Sequence, residues 1–172
     1  MNVCGIDPGT TGAIAFITPR GASVHDLPTR KIEGNGYAVR RIDARALAVL
    51  IRQEIPAGEP FEAFCEAVRV MTGKDNAIQA QGSLMRSLGA IEAVCECLGS
   101  PAQLIQPQGW QAYYGLVGKK TEIRGKGELP AATRKVLQIY PALAPDLQRV
   151  GDHNRSEALL IAHYGLRKVL GG

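Results

Sequence analysis

Four acids stand where an apolar run ends or a helical pattern begins: Asp7, Glu66, Asp152 and Glu157. A buried strand has no structural use for a carboxylate, because an unpaired buried charge is costly. Grouped carboxylates become tolerable when divalent cations neutralise them. Mg²⁺ takes oxygen from one or two carboxylates and completes its shell with water and substrate phosphate. Two such ions about 4 Å apart activate a water and stabilise the leaving oxygen of a phosphodiester. Each acid also has a plain structural use. Asp7 before Pro8-Gly9 can cap a turn, Glu66 can be a solvated strand end, and Asn154 with Glu157 has the spacing of a capping box. Their joint placement is what points to metal-assisted hydrolysis. Asp7 and Glu66 end two strands, Asn154 and Glu157 share one helix face at i and i+3, and Asp152 immediately precedes that helix.

The elements that must position these groups follow from apolar periodicity. Strands are expected over Asn2–Asp7, Gly12–Thr18 and Ser23–Leu27, joined by tight turns into an antiparallel meander. Residues 28–42 are polar around Gly34-Asn35-Gly36 and are expected to form a mobile loop. Asp43 is the expected N-cap of a helix to about Glu54. Phe61–Ala67 follows as a strand with Phe61, Ala63 and Cys65 on one face and Glu62, Phe64 and Glu66 on the other. A long helix is expected over 76–98, ended by Gly99. Then come a short strand at Ala102–Ile105, a short helix from Pro107, and helices over Leu129–Tyr140 and Asn154–Val169. The order βββαβαβααα implies an α/β fold: an RNase H-like mixed five-stranded sheet, antiparallel meander plus parallel strands, flanked by helices.

The hairpin GIDPGTTGAIAF is ambiguous taken alone. Its glycine–threonine turn also serves as a phosphate loop in sugar-kinase-like and actin-like ATPases. Those proteins close two such domains over the nucleotide and carry a second glycine-rich phosphate loop. A chain of 172 residues without that second loop argues against them.

Bulk composition narrows the class further. At 172 residues the chain is read as one domain spanning 1–172. It is 45% hydrophobic and 21% charged, with no apolar run near the roughly 20 residues of a membrane helix. Its four cysteines show no zinc-ligand spacing, so they are expected to be reduced thiols packed as small hydrophobes in a cytoplasmic protein. The formal net charge of +4 and pI near 9.0 suit a polyanionic partner. Lys119, Lys120, Arg124 and Lys126 crowd a glycine-punctuated segment, and Arg69 and Lys74 follow Glu66 closely. Such residues supply salt-dependent, largely sequence-independent affinity for phosphates. Lys31, Tyr37, Arg40 and Arg41 form a secondary basic candidate. Trp110, Tyr113 and Tyr114 have helical spacing and are expected in the core.

Taken in order, GIDPGTTGAIAF, FEAFCEAV, PQGW, GLVGKK and DHNRSEALLIAHYG resemble the RuvC family of Holliday-junction resolvases, its bacteriophage-type members in particular. The resemblance runs across nearly the whole chain. It implies an RNase H-like nuclease domain acting in DNA recombination and repair. It further implies a homodimer formed through the 76–98 helix, and dependence on Mg²⁺, two ions per site, with Mn²⁺ able to substitute. The implied reaction is resolution of four-way junctions by in-line attack of water, leaving 5′-phosphate and 3′-hydroxyl ends. Asp7 matches the family's first-strand aspartate, Glu66 its fourth-strand glutamate, and Glu157 the last acid of the closing helix, where Asp is commoner. Three residues earlier the family carries Asp or His, whereas this chain carries Asn154. Asn154 is then a neutral ligand, or Asp152 or His153 supplies the missing group. Asp152 is favoured because an anion suits a hard cation better than imidazole does. Asn154 leaves open a junction-binding protein with an eroded site, and a nuclease of the same fold acting on flap or other branched DNA is a separate alternative.

Overall fold

The computed structural model describes residues 1–33, 38–68, 78–122 and 128–171. Two apolar runs on either side of a tight turn pair as β1 (Asn2–Asp7) and β2 (Ala13–Thr18), with Asp7 opposite Ala13. β3 (Gly21–Asp26) continues the meander antiparallel to β2. On its other edge β1 takes β6 (Phe61–Glu66) in parallel, in a register running from Asn2–Phe61 to Ile6–Cys65. β7 (Gln103–Ile105) pairs parallel to β6, which completes a five-stranded mixed sheet in the order β3-β2-β1-β6-β7.

Both faces of this sheet are covered, which is why its central strands read as nearly continuous apolar runs. Strand alternation divides the core in two. Cys4, Ile6, Phe61, Ala63 and Cys65 pack with Leu47, Ile51, Leu88 and Ile91 of α1 (Ala44–Glu54) and α2 (Ile78–Cys97). Val3, Ala13, Ala15 and Phe64 pack with Trp110 of α3 (Pro107–Tyr113), Val136 of α4 (Ala131–Ile139), and Leu159 and Ile161 of α5 (His153–Val169). Short 3₁₀ turns at Pro141–Asp146 and Val150–Asp152 lead into α5. Asp43 caps α1 by accepting a hydrogen bond from the Ala46 N–H at 3.0 Å.

Gly5 sets the depth of α5. A Cβ on Gly5 would lie 2.2 Å from the Ala162 nitrogen and 2.3 Å from the Ala158 carbonyl oxygen, so the helix backbone rests directly on β1. Val3, Gly5 and Asp7 share that face of β1, as Phe64 and Glu66 share it on β6.

One expectation is corrected. The stretch taken for a polar loop forms a hairpin, β4 (Thr29–Glu33) with β5 (Ala38–Ile42), in a separate two-stranded sheet. Its strand character escapes a hydrophobic reading because exposed charges fill the pattern; among its apolar residues Ile42 reaches the core. The Gly34-Asn35-Gly36 centre lies outside the described residues, as do Arg69, Lys74, Arg124 and Lys126. The long helix is described from Ile78. Of the cysteines, Cys4, Cys65 and Cys95 are buried thiols and Cys97 is exposed.

Candidate active site

The carboxyl ends of adjacent parallel strands are where α/β sheets place ligands, at the point where connections diverge. β1 meets that condition, with a parallel neighbour on one side and an antiparallel one on the other. Asp7 and Glu66 are the last residues of β1 and β6 and lie on the face that α5 covers. α5 brings Glu157 down onto them from its second turn. Carboxylate oxygens of Asp7, Glu66 and Glu157 all lie within 4.8 Å of one another.

The cluster is electrostatically uncomfortable. Burial pushes the Asp7 pKa well above the usual aspartate value, and the charges of Glu157 and Glu66 push it the same way against the relief from Lys120. Burial likewise raises Glu157, which is 2% exposed, although Lys120 pulls in the opposite direction. The Lys120 ammonium donates to Glu157 Oε2 at 2.5 Å and sits 5.9 Å from the centre of the Trp110 ring. Burial works to lower the Lys120 pKa, but Glu157, Glu66 and Asp7 outweigh it, so the amine titrates higher than an ordinary lysine. Three carboxyl groups converge there against a single ammonium, so their ionised forms lack enough positive charge nearby to balance them. A hard, divalent cation fits that donor set in both charge and chemistry.

Trp110 is in the core, as its spacing suggests, and it has a second use. Its indole N–H donates to Glu66 Oε1 at 3.0 Å. A fully buried indole needs an acceptor, and that general requirement was the one sequence signal linking Trp110 to an acid. Trp110→Phe keeps an aromatic ring in the core but removes the N–H donor together with the pyrrole half of the indole. The expected result is a folded protein that binds a divalent cation about 10- to 100-fold more weakly, the usual cost of losing a group that orients a carboxylate toward a cation. Titration of the folded variant with Mn²⁺ measures that loss, and a thermal melt reports the packing change separately.

The other sequence candidates separate. Asn154 does not cap its helix; its Nδ2 donates to the Thr11 carbonyl at 2.6 Å, tying α5 to the Thr10–Gly12 turn beside Asp7. His153 and Asn154 line a cavity of about 790 Å³ with that turn, Arg40 and Arg149. Asp152 is not brought to the three-acid cluster. Its Oδ1 accepts from Arg149 Nε at 3.0 Å and Nη2 at 2.7 Å, its Oδ2 accepts from the Arg149 backbone N–H at 2.8 Å, and Arg155 stands 3.9 Å away. Burial acts to raise its pKa, but the hydrogen bonds and charge of Arg149 prevail and hold it below the ordinary value.

A lowered carboxyl pKa contributes stability that is present above the unfolded value and lost as pH falls through the folded one. Asp152→Asn should therefore lower the melting temperature at neutral pH by a few degrees, with the difference shrinking in acid. Divalent-cation affinity should stay near wild type; a marked loss would instead make Asp152 part of the cation site. Lys119 is exposed beside Lys120 on the turn that follows α3.

No protein-family model and no curated protein matches the chain. Solved structures do. A structure of Thermus thermophilus RuvC in complex with a Holliday junction substrate aligns over 99% of this chain and 96% of that one, with a TM-score of 0.58 and 16% sequence identity. A second Thermus thermophilus RuvC structure aligns over 99% and 97% at 16% identity, with a TM-score of 0.49. The first alignment gives the chain the RNase H-like fold of RuvC. Among the described residues, no helix is long and apolar enough to cross a membrane.

Proposed function

We propose that this chain is a RuvC-type, structure-selective DNA endonuclease that resolves four-way junctions, leaving 5′-phosphate and 3′-hydroxyl ends. The observation that carries this reading is the convergence of Asp7, Glu66 and Glu157 at the carboxyl ends of two parallel strands, within 4.8 Å, in the fold of RuvC. The fold supports the polymer class, since the RuvC structure it aligns with holds a Holliday junction. The cluster supports the chemistry.

In this reading Asp7, Glu66 and Glu157 hold Mg²⁺, two ions per site, with Mn²⁺ able to substitute. When bound, the ions supply a water acidic enough to attack and a counter-charge for the leaving oxygen. The protein's own groups do the rest. Trp110 fixes the Glu66 carboxylate through its N–H. Asn154 fixes the turn after Asp7 against α5. Lys120 screens Glu157 when no substrate is present and lies where its ammonium can turn to a phosphate oxygen of the cut strand. Lys119 contributes to backbone affinity on the same side. The assembly is a homodimer through the 76–98 helix, so that two cuts are made on one junction.

The test is a panel of mobile four-way junction, flap, fork and linear duplex, each incubated with Mg²⁺ and with EDTA. Metal-dependent paired nicks in the junction are expected, in preference to the other substrates. Preferred cutting of flap or fork would move the chain to another branched-DNA nuclease. Tight junction binding with no cutting would make it an eroded binding protein.

A further inference from the structure

The β4–β5 hairpin sets cation against cation. In its register Arg30 pairs with Arg41, and Lys31 with Arg40. Like charges directly opposite each other destabilise a ribbon, and a two-stranded ribbon has little stability to spare. Internal partners do not relieve the repulsion. Among the described residues, Arg30, Lys31, Arg40, Arg45 and Arg86 make no ion pair. Among the described residues, Arg41 reaches the Arg40 carbonyl at 3.3 Å and Ser83 Oγ at 3.5 Å, neither of them an acid.

Strand alternation sends these cations two ways. Arg30 and Arg41 line an open groove of about 790 Å³ whose opposite walls carry Arg45, at the start of α1, and Arg86 of α2. Arg40, on the other face, lines the cavity with Thr10, Thr11, Asn154 and Arg149, beside the turn that follows Asp7; the acid there, Asp26, is paired with Arg155. The one acid in the arginine groove, Asp43, is committed to capping α1. Cations thus run from the edge of the candidate active site, around the ribbon, into a groove floored by α1 and α2.

We propose that the β4–β5 ribbon is a docking saddle for the DNA sugar–phosphate backbone. Arg30, Arg41, Arg45 and Arg86 contact the phosphates of one duplex arm, and Arg40 contacts the strand entering the acid cluster. The choice of a polymer over a small anion rests on layout. Four guanidinium groups spread along an open groove match a repeating charge, and each planar fork suits a phosphate. The inference rests on reading the chain as a DNA enzyme, but its test separates the two.

Fluorescence anisotropy in EDTA measures binding of a plain duplex and of a four-way junction across a NaCl series. Wild type is compared with Arg30→Gln/Arg45→Gln and with a charge-matched control, Arg167→Gln/Lys168→Gln, at the far end of α5. On both probes, the plot of log K against log salt should become shallower by about two for the ribbon variant and stay unchanged for the control. Equal losses in the two variants, or none in the ribbon variant, would overturn the saddle. Melting gives a second readout. Arg30→Gln removes a like-charge pair and should melt no lower than wild type; a lower melting temperature would make Arg30 a structural residue and overturn the proposal. If wild type nicks junctions and the ribbon variant binds unchanged, the saddle alone fails. If wild type cuts nothing and the slope still falls, the nuclease reading alone fails.

Discussion

Asp7→Asn is expected to stop the Mg²⁺-dependent junction nicking proposed for this chain, by at least about 10³-fold, while leaving junction affinity in EDTA unchanged and raising the melting temperature of the metal-free protein. The rate loss follows from removing a charged group aimed at the reacting centre, where electrostatic stabilisation is worth most. The stability gain follows from the same charge. Asp7 is desolvated and repelled by Glu157 and Glu66, and its pKa in the folded protein is raised. An aspartate whose folded pKa exceeds its unfolded value costs stability once ionised. The folded state binds more protons than the unfolded one between the two values, so stability falls as pH rises from about 4 through that window and remains lower above it. The advantage of the Asn variant should therefore be small in acid and full at alkaline pH. Added Mg²⁺ should reverse the order by raising the wild-type melting temperature and leaving that of the variant nearly unmoved. The measurements are thermal melts at several pH values with and without Mg²⁺, beside a nicking assay. Robust cleavage by Asp7→Asn would remove the metal-site assignment.

Gly5→Ala carries the second large effect, on a residue that bears no functional group. The added methyl would meet backbone atoms of α5 at Ala158 and Ala162, where no side chain can turn aside to admit it. Overpacking against backbone costs about 3 kcal/mol or more, which for a domain of this size lowers the melting temperature by roughly 10 °C. The functional loss should be larger than that stability loss implies. Glu157 adjoins Ala158, so lifting the helix draws one of the three carboxylates away from the other two. A displacement of about 1 Å costs on the order of 10²-fold in rate. Nicking measured well below the variant's melting temperature checks this. Near-normal cutting by folded Gly5→Ala would mean that the depth of α5 does not set the site.

Residues missed or misplaced by sequence reasoning share a cause. The β4–β5 hairpin escaped because its alternation is written mainly in arginine and lysine, whereas strand recognition rests on apolar periodicity. For Asp152, charge and position in the sequence favour a ligand but do not show its neighbour. Arg149, three residues earlier, claims both of its carboxylate oxygens. Trp110 was legible as core and silent about Glu66, since a buried indole advertises a donor but not the acceptor it will find.

Local patterns in the chain were enough to set the five strands of the main sheet, the caps and ends of several helices, and the placement of Asp7 and Glu66 at strand termini. These properties depend on periodicities and turn chemistry spanning a few residues, so they are written locally. Tertiary structure alone decided which acids meet, that Lys120 pairs with Glu157, that Asp152 faces arginines, and that Arg40 of the basic ribbon shares a cavity with the turn after Asp7. Each of those depends on how closely distant elements approach. That approach is governed by backbone contacts such as α5 on Gly5, which a one-dimensional pattern does not encode.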